Sequence, residues 1–301
     1  MSTEPIGRRA QNRLARHQQL TTAATEIISE AGLEGLTMQA VAERVDCAVG
    51  TIYTYFPSKS ALLAELQVEA LRTLGSAFER SSQVWDTEIE AAGLDDALAT
   101  LVRLVAIGHL FVAAPELHPR EFELLQVHIA TPRRELTPED TPEVVPHALA
   151  MLARLSQLID RAVEVGALSN RAELERDDKQ TLRRTLRWLG GLNGALMVSN
   201  ATSDPAWLTA EELDGRRLAI ALAQDMLLGW GAPPRTLASA NEFVRSLEER
   251  DVLMRRGGQL EDAVTTDSVA LDGSVVDSAG TSFDGHGPGA GSDQSVVDTG
   301  D

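Results

Sequence analysis

The chain has 301 residues, of which 43% are hydrophobic and only 4% aromatic, and it carries a formal net charge of −18. That is enough apolar material for a sizeable core in one large or two ordinary domains, and its Ala, Leu and Val bias favours helices over aromatic-rich, β-branched strands. The single cysteine, Cys47, excludes an intrachain disulfide framework and a cysteine-rich zinc site. No secretory signal opens the chain, and no apolar run is expected to approach the roughly 18 residues of a membrane span, so a soluble, cytoplasmic protein is expected.

The negative charge is unevenly spread. Residues 257–301 hold nine acidic residues and no Lys or Arg, whereas residues 1–20 hold Arg8, Arg9, Arg13 and Arg16 against Glu4 alone. A basic, flexible arm is therefore expected at residues 1–12, where it can lie along phosphates. The Gly-, Ser- and Asp-rich tail at 257–301 has too little apolar surface to offset the entropy of ordering, and reads as disordered.

Taken in chain order, the first helix is expected from about Arg13 to Ala31, with Leu20, Ala23, Ala24, Ile27 and Ile28 on one face and Gly32 as its C-cap. Thr37 offers an N-cap for a short helix over Met38–Val45 that turns Val41, Ala42 and Val45 inward. A turn at Asp46–Ala48 leads to a third helix over Val49–Phe56, and Ser58 caps the next. Longer amphipathic helices follow at about Lys59–Gln83, Leu94–Ala113, Arg120–Ala130, Glu143–Gly166, Asp177–Ala201, Ala210–Gly231 and Ala238–Arg256. Prolines 115, 119, 132, 138, 142, 205, 233 and 234 are placed between them. The fold class is all-α: a helix-turn-helix domain at 13–58, a larger helical domain at 59–234, and an additional C-terminal helix at 235–256.

The stretch Leu36–Phe56, LTMQAVAERVDCAVGTIYTYF, carries the functional signal. Two short helices joined by a three-residue turn form a helix-turn-helix, whose second helix fits the DNA major groove. Ala48, Val49, Gly50 and Thr51 are small enough to bring the helix backbone close to DNA, and free N–H groups at the helix start favour phosphate. Thr51 and Thr54 can exchange hydrogen bonds with base edges, and Val49 can meet a thymine methyl. The hydroxyls of Tyr53 and Tyr55 can reach phosphate oxygens, and Lys59 adds a cation. Ile52 and Phe56 read as core, Tyr55 fits either core or phosphate, Lys59 also fits a plain solvated lysine, and Cys47 reads as a small filler of the turn.

These residues resemble the DNA-binding domain of TetR-type (TetR/AcrR) regulators over about residues 13–70. Gly32, Leu36, Thr37, Val41, Ala42, Val45, the run Gly50-Thr51-Ile52-Tyr53, Tyr55-Phe56, Pro57-Ser58-Lys59, and Leu62-Leu63 stand at the family's spacing. The resemblance implies phosphate contacts from Thr37, Tyr53, Tyr55 and Lys59. It implies base readout by Gln39, Val49, Gly50, Thr51 and Thr54, with Tyr53 also touching bases.

The remainder resembles the family's helical ligand and dimer domain in outline. The phrase IDRAVEVGAL at Ile159–Leu168 is similar to the family's seventh helix and the turn after it. Gly190, Gly191, Gly194 and Ala195 allow the close helix approach of a dimeric four-helix bundle, or equally of an intramolecular core. A homodimer through the helices near Asp177–Ala201 and Ala210–Gly231 is expected, since a two-fold protein reads two half-sites. The resemblance also implies a small-molecule effector. Its pocket candidates, taken from apolar faces with an embedded polar group, are Trp85, His109, Phe111, Phe122, His128, Trp188 and Asn193, each of which also fits a plain core position.

His109 and His128 lack the spacing of a metal pair, so no metal and no cofactor is assigned. No phosphate-binding glycine loop, nucleophile elbow or paired-histidine motif argues for an enzyme. The expected function is a sequence-specific regulator of transcription acting on a double-stranded DNA operator, a repressor released by its effector. The alternatives are a helical interaction protein that no longer reads DNA and an all-helical enzyme.

Overall fold

The computed structural model describes residues 7–129, 141–169, 179–201 and 214–254. Among these residues ten helices run in order: α1 (Arg8–Gly35), α2 (Met38–Arg44), α3 (Val49–Tyr53), α4 (Lys59–Ala92), α5 (Asp96–Leu117), α6 (Pro119–Ile129), α7 (Thr141–Glu164), α8 (Gln180–Ala201), α9 (Gly215–Gly229) and α10 (Pro234–Glu249). Among the described residues every regular element is a helix. The acidic tail at 257–301, the first half of the basic arm, and the starts of the stretches expected at Asp177 and Ala210 lie outside the described residues.

Two hydrophobic cores organise these helices. The N-terminal core takes the expected face of α1 (Leu20, Ala23, Ala24, Ile27, Ile28), with Val41 and Ala42 of α2, Ile52 of α3 and Phe56. The first half of α4 closes it with Leu62, Leu63, Leu66 and Ala70, and Leu124 of α6 and Val144 of α7 reach into it. The second core surrounds α5, whose Leu101, Val102, Leu104, Val105 and Ala106 are all buried. A helix covered on so many faces loses the one-sided pattern of a surface helix.

Several boundaries depart from expectation for local reasons. The first helix breaks at Gly32, whose φ of 66° and ψ of −177° are non-helical, but a further turn continues to Gly35. The fourth helix runs past Gln83 to Ala92, because Ser81, Trp85 and Ile89 extend its buried stripe at four-residue spacing, and Gly93, left-handed at φ 62°, is the actual stop. Pro115 lies inside the last turns of α5 rather than after it. Pro142 and Pro234 sit in the first turns of α7 and α10, where an N–H has no helical acceptor to lose.

Contrary to expectation, α5 is long and apolar enough to cross a membrane by length and composition alone. Its most apolar window is 61% buried inside the fold, which is how the central helix of a packed domain reads. The helix expected as an addition is part of this packing. Leu237, Ala240, Val244 and Leu247 of α10, spaced for one face, are buried against α5. Beyond its end, the Leu253 carbonyl accepts the indole N–H of Trp85 at 2.9 Å.

Candidate nucleic-acid interface and apolar cavity

The joint between α2 and α3 is built by caps. Thr37 opens α2, its hydroxyl oxygen accepting the Ala40 N–H at 3.0 Å. At the other end Asp46 takes a left-handed φ of 49°. This lets the Cys47 N–H reach back to the Ala42 carbonyl at 3.0 Å and the Asp46 N–H to that of Glu43 at 3.3 Å. That is a Schellman-type closure with aspartate in place of the usual glycine, and Cys47 packs on the core beneath it. The helix α3 then starts at Val49 and ends at Tyr53, three residues sooner than the sequence pattern predicts. Its chain tightens as the Thr54 N–H turns to the Thr51 carbonyl and the Tyr55 N–H to that of Ile52.

Ile52 and Phe56, 0% and 2% exposed, anchor this segment from below. Above them Gly50, Tyr53 and Thr54 are exposed, Tyr53 by 51%, and a Cβ added at Gly50 would meet nothing within 4 Å. Thr37 and Gln39 are also exposed, although the Gln39 amide donates to Glu43 at 2.8 Å. Val49, Thr51 and Lys59 are half-buried, and the Thr54 hydroxyl donates to the Thr51 carbonyl at 2.6 Å. Tyr55 packs partly on the core, with the His17 ring of α1 at 6.3 Å and that same ring 4.9 Å from Phe56.

Two braces escaped the sequence reading. Arg44 of α2 spans to α1, pairing with Glu30 at 2.6 Å and Glu26 at 3.3 Å. Its guanidinium holds the Glu30 carboxyl below the usual carboxylate range, chiefly through the hydrogen bond. His17 stands 3.4 Å from Glu65 of α4. Neither pairing is signalled by sequence, because the partners are 14 and 48 positions away and only the packing of α1 brings them close.

A cavity of about 400 Å³ lies among α4, α5, α6, α7 and α8. Its wall is almost wholly apolar. Of the sequence candidates, Phe111, Phe122 and Trp188 line it, with Phe111 and Phe122 edge to face at 5.8 Å. Trp85, His109 and Asn193 do not line it. Trp85 borders a separate charged cleft among α4, α5 and α7, His109 turns to Glu248 of α10 at 2.7 Å, and buried Asn193 accepts from the Gln126 amide. The side chain of His128 lies outside the described residues.

Two polar residues outside the sequence candidates also line the cavity. Arg154 of α7 stacks over the Phe78 ring at 5.8 Å, donates to the Gly75 carbonyl at 3.2 Å and pairs with Glu79. Gln67 of α4 is only 2% exposed; its amide N–H donates to the Leu124 carbonyl of α6 at 3.3 Å, while its Oε1 is buried with no partner. Leaving such an acceptor unpaired costs about 1–3 kcal/mol. The signal was legible: Gln67 interrupts the apolar stripe Leu63, Leu66, Ala70, Leu71, Leu74 of α4.

The helices α8 and α9 carry exposed apolar side chains, of which Leu186 also lines the cavity. Leu182, Leu186, Met197 and Val198 of α8 and Leu218 and Leu228 of α9 are 42–50% exposed. Gly190 and Gly194 continue the α8 stripe, and a Cβ at either would meet nothing within 4 Å, whereas Gly191 is taken up by packing on Leu222 and Met226 of α9.

Comparison with known proteins agrees with this geometry. The family model for bacterial regulatory proteins of the tetR family matches residues 20–66, which run from α1 into α4. The chain is similar to the HTH-type transcriptional repressor KstR of Mycolicibacterium smegmatis, 40% identical over 93 residues, which are 31% of this chain and 41% of that protein. KstR of Mycobacterium tuberculosis is 35% identical over 82 residues, 27% of this chain and 36% of its own length. The chain thus spans less than half the length of these curated relatives. A TetR transcription regulator from Haloarcula marismortui shares the fold at a TM-score of 0.50 and 15% identity, over 72% of this chain and 98% of that one. Through residues 20–66 and the helix-turn-helix they form, the N-terminal domain of this chain is a domain of the tetR family of bacterial regulatory proteins.

Proposed function

We propose that this protein is a sequence-specific, DNA-binding repressor of transcription that works as a homodimer and is released by a small apolar effector. The observation that carries the reading is the exposed row of Thr37, Gly50, Tyr53 and Thr54 on a capped helix pair whose underside, Ile52 and Phe56, is fully anchored. A rigid base with small and hydroxyl-bearing side chains in front suits insertion into a major groove. The similar proteins named as repressors support the same reading.

In this reading Thr37, Tyr53, Tyr55 and Lys59 hold phosphates and set the register. Gln39, Val49, Gly50, Thr51 and Thr54 face base edges. Tyr55, half-buried beside His17, serves both the core and the phosphate. The exposed apolar side chains of α8 and α9 are where a second copy packs, the open glycines admitting close helix approach.

The cavity takes the effector. Its wall shares Leu124 and Val144 with the N-terminal core, and Gln67 bonds the α6 backbone at Leu124. A ligand that moves α6 or α7 therefore moves residues on which α1 and α4 rest, and so the spacing of two α3 helices in a dimer. That is the differential contact an effector needs to shift the equilibrium between DNA-competent and released states.

Selection of bound duplexes from a randomised DNA pool tests the reading. It should recover a palindrome with half-sites one helical turn or a small multiple apart, bound by two or more copies of the chain in sedimentation. Recovery of no motif by a folded protein would exclude it.

A further inference from the structure

The helix pair α2–α3 brings no net charge to DNA. Residues 37–59 hold Arg44 and Lys59 against Glu43 and Asp46, and Arg44 is engaged by Glu26 and Glu30 of α1. Such a surface can read base edges, but non-specific affinity for a duplex comes from cations that displace counterions from its phosphates. Those cations stand on α1. Its buried residues begin only at Leu20, so residues 8–19 run on past the N-terminal core for roughly 18 Å of helix. Arg8, Arg9 and Arg13 are exposed there, and Arg16 is half-buried, its guanidinium donating to Gln19 at 3.1 Å. No Asp or Glu occurs in α1 before Glu26, and among the described residues no carboxylate pairs with any of the four arginines.

We propose that residues 8–19 of α1 form a second DNA-contacting element, a basic helical face that lies on the phosphate backbone of the duplex beyond the base pairs read by α3. This rests on the reading of the protein as a DNA binder. The face is defined by helical spacing: Arg9, Arg13 and Arg16 fall within about 60° of one another at 3.6 residues per turn. They stand in line with Leu20, Ala23 and Ile27, so the face of α1 that is apolar over the core turns basic where the core ends. That face adjoins the helix-turn-helix. His17, next to Arg16 and one turn from Arg13, has its ring 4.9 Å from Phe56 and 6.3 Å from Tyr55, the residue assigned to a phosphate. The arginines therefore lengthen a row of phosphate contacts that Tyr55 begins. Arginine side chains on backbone phosphates carry no sequence information, so this element sets how tightly the duplex is held and α3 sets which one.

The test combines Arg9→Gln, Arg13→Gln and Arg16→Gln in the full chain, with the same three positions changed to lysine as the control. Glutamine keeps helix propensity and removes the charge, whereas lysine keeps both. Binding to the selected duplex and to a scrambled duplex of equal length is followed by fluorescence anisotropy over a series of salt concentrations. A dimer of the glutamine variant gives up six cations, so the slope of log K against log salt should fall by about three to five units, at near 0.9 for each phosphate released. Both duplexes should weaken by the same factor, at least about tenfold, and the lysine variant should keep the wild-type slope. If the triple variant does not fold, Arg9→Gln with Arg13→Gln, both at exposed positions, should show about two-thirds of the loss. A wild-type slope in the glutamine variant overturns the proposal and leaves the helix-turn-helix as the DNA contact. A changed preference between the two duplexes overturns it in favour of base readout, and loss of the dimer in sedimentation overturns it in favour of an interface between copies. Equal binding of both duplexes by the wild-type chain overturns the sequence-specific reading itself.

Discussion

Phosphate contacts by a neutral hydroxyl and by a cation leave different signatures, and Tyr53 and Lys59 separate them. Tyr53 is 51% exposed, so removing its hydroxyl as Tyr53→Phe keeps the ring on α3 and should leave folding stability within about 0.5 kcal/mol. If that hydroxyl donates to a phosphate, its loss removes a hydrogen bond to a charged group, worth about 1.5 kcal/mol at the lower end. Two half-sites double this to about 3 kcal/mol, or roughly a hundredfold in affinity. Because tyrosine is uncharged, no counterion release is lost, and the slope of log K against log salt stays that of the wild type. Lys59→Ala should behave otherwise. It removes one cation per protomer, so a dimer loses about two units of slope, near 0.9 for each phosphate no longer neutralised. The assay is fluorescence anisotropy on the selected duplex at four or more salt concentrations. An unchanged affinity for Tyr53→Phe, or a full slope for Lys59→Ala, would refute these assignments.

Two further outcomes follow from the fold. Gly93 and Gly231 both have positive φ, 62° and 91°, but a Cβ at Gly93 meets nothing within 4 Å whereas one at Gly231 falls 1.9 Å from the Ser169 hydroxyl and 3.2 Å from its backbone nitrogen. Gly93→Ala should cost about 1 kcal/mol from the backbone alone; Gly231→Ala should cost about 1–3 kcal/mol more. Equal denaturant midpoints would contradict this. Partial burial raises the Glu123 carboxyl above its usual value, so the folded state holds its proton more tightly than the unfolded one, and stability falls as pH rises through the carboxylate range. Glu123→Gln should therefore be more stable than wild type at neutral pH, with the gap closing below about pH 4; a gap that persists at low pH in thermal unfolding would show another cause.

The effector pocket shows where sequence reasoning reached its limit. His109 and Phe111 were both candidates, yet residues two apart on a helix point to nearly opposite faces, so one cavity could not take both. Phe111 faces the cavity and His109 faces α10. Which of the two faced inward depended on where α10 packed, and α10 is 139 positions from His109 at their contact. The reach of α4 to Ala92 is likewise not a local property, because its buried stripe continues only while α5 and the segment beyond α10, at Leu253, pack on it.

By itself the sequence determined what is local. The Thr37 and Ser58 caps, the break at Gly32, the inward face of α1 and the short helix pair around Asp46–Ala48 all follow from contacts within a few residues, where propensity and capping act directly. The match of residues 20–66 to the tetR family rests on that same stretch. Tertiary structure alone decided the rest. Buried surface far from α3 is apolar nearly everywhere, so periodicity marks a face as covered without naming what covers it. Only the packed helices could place a cavity against Gln67, leave Oε1 without a donor, and tie that same amide to α6.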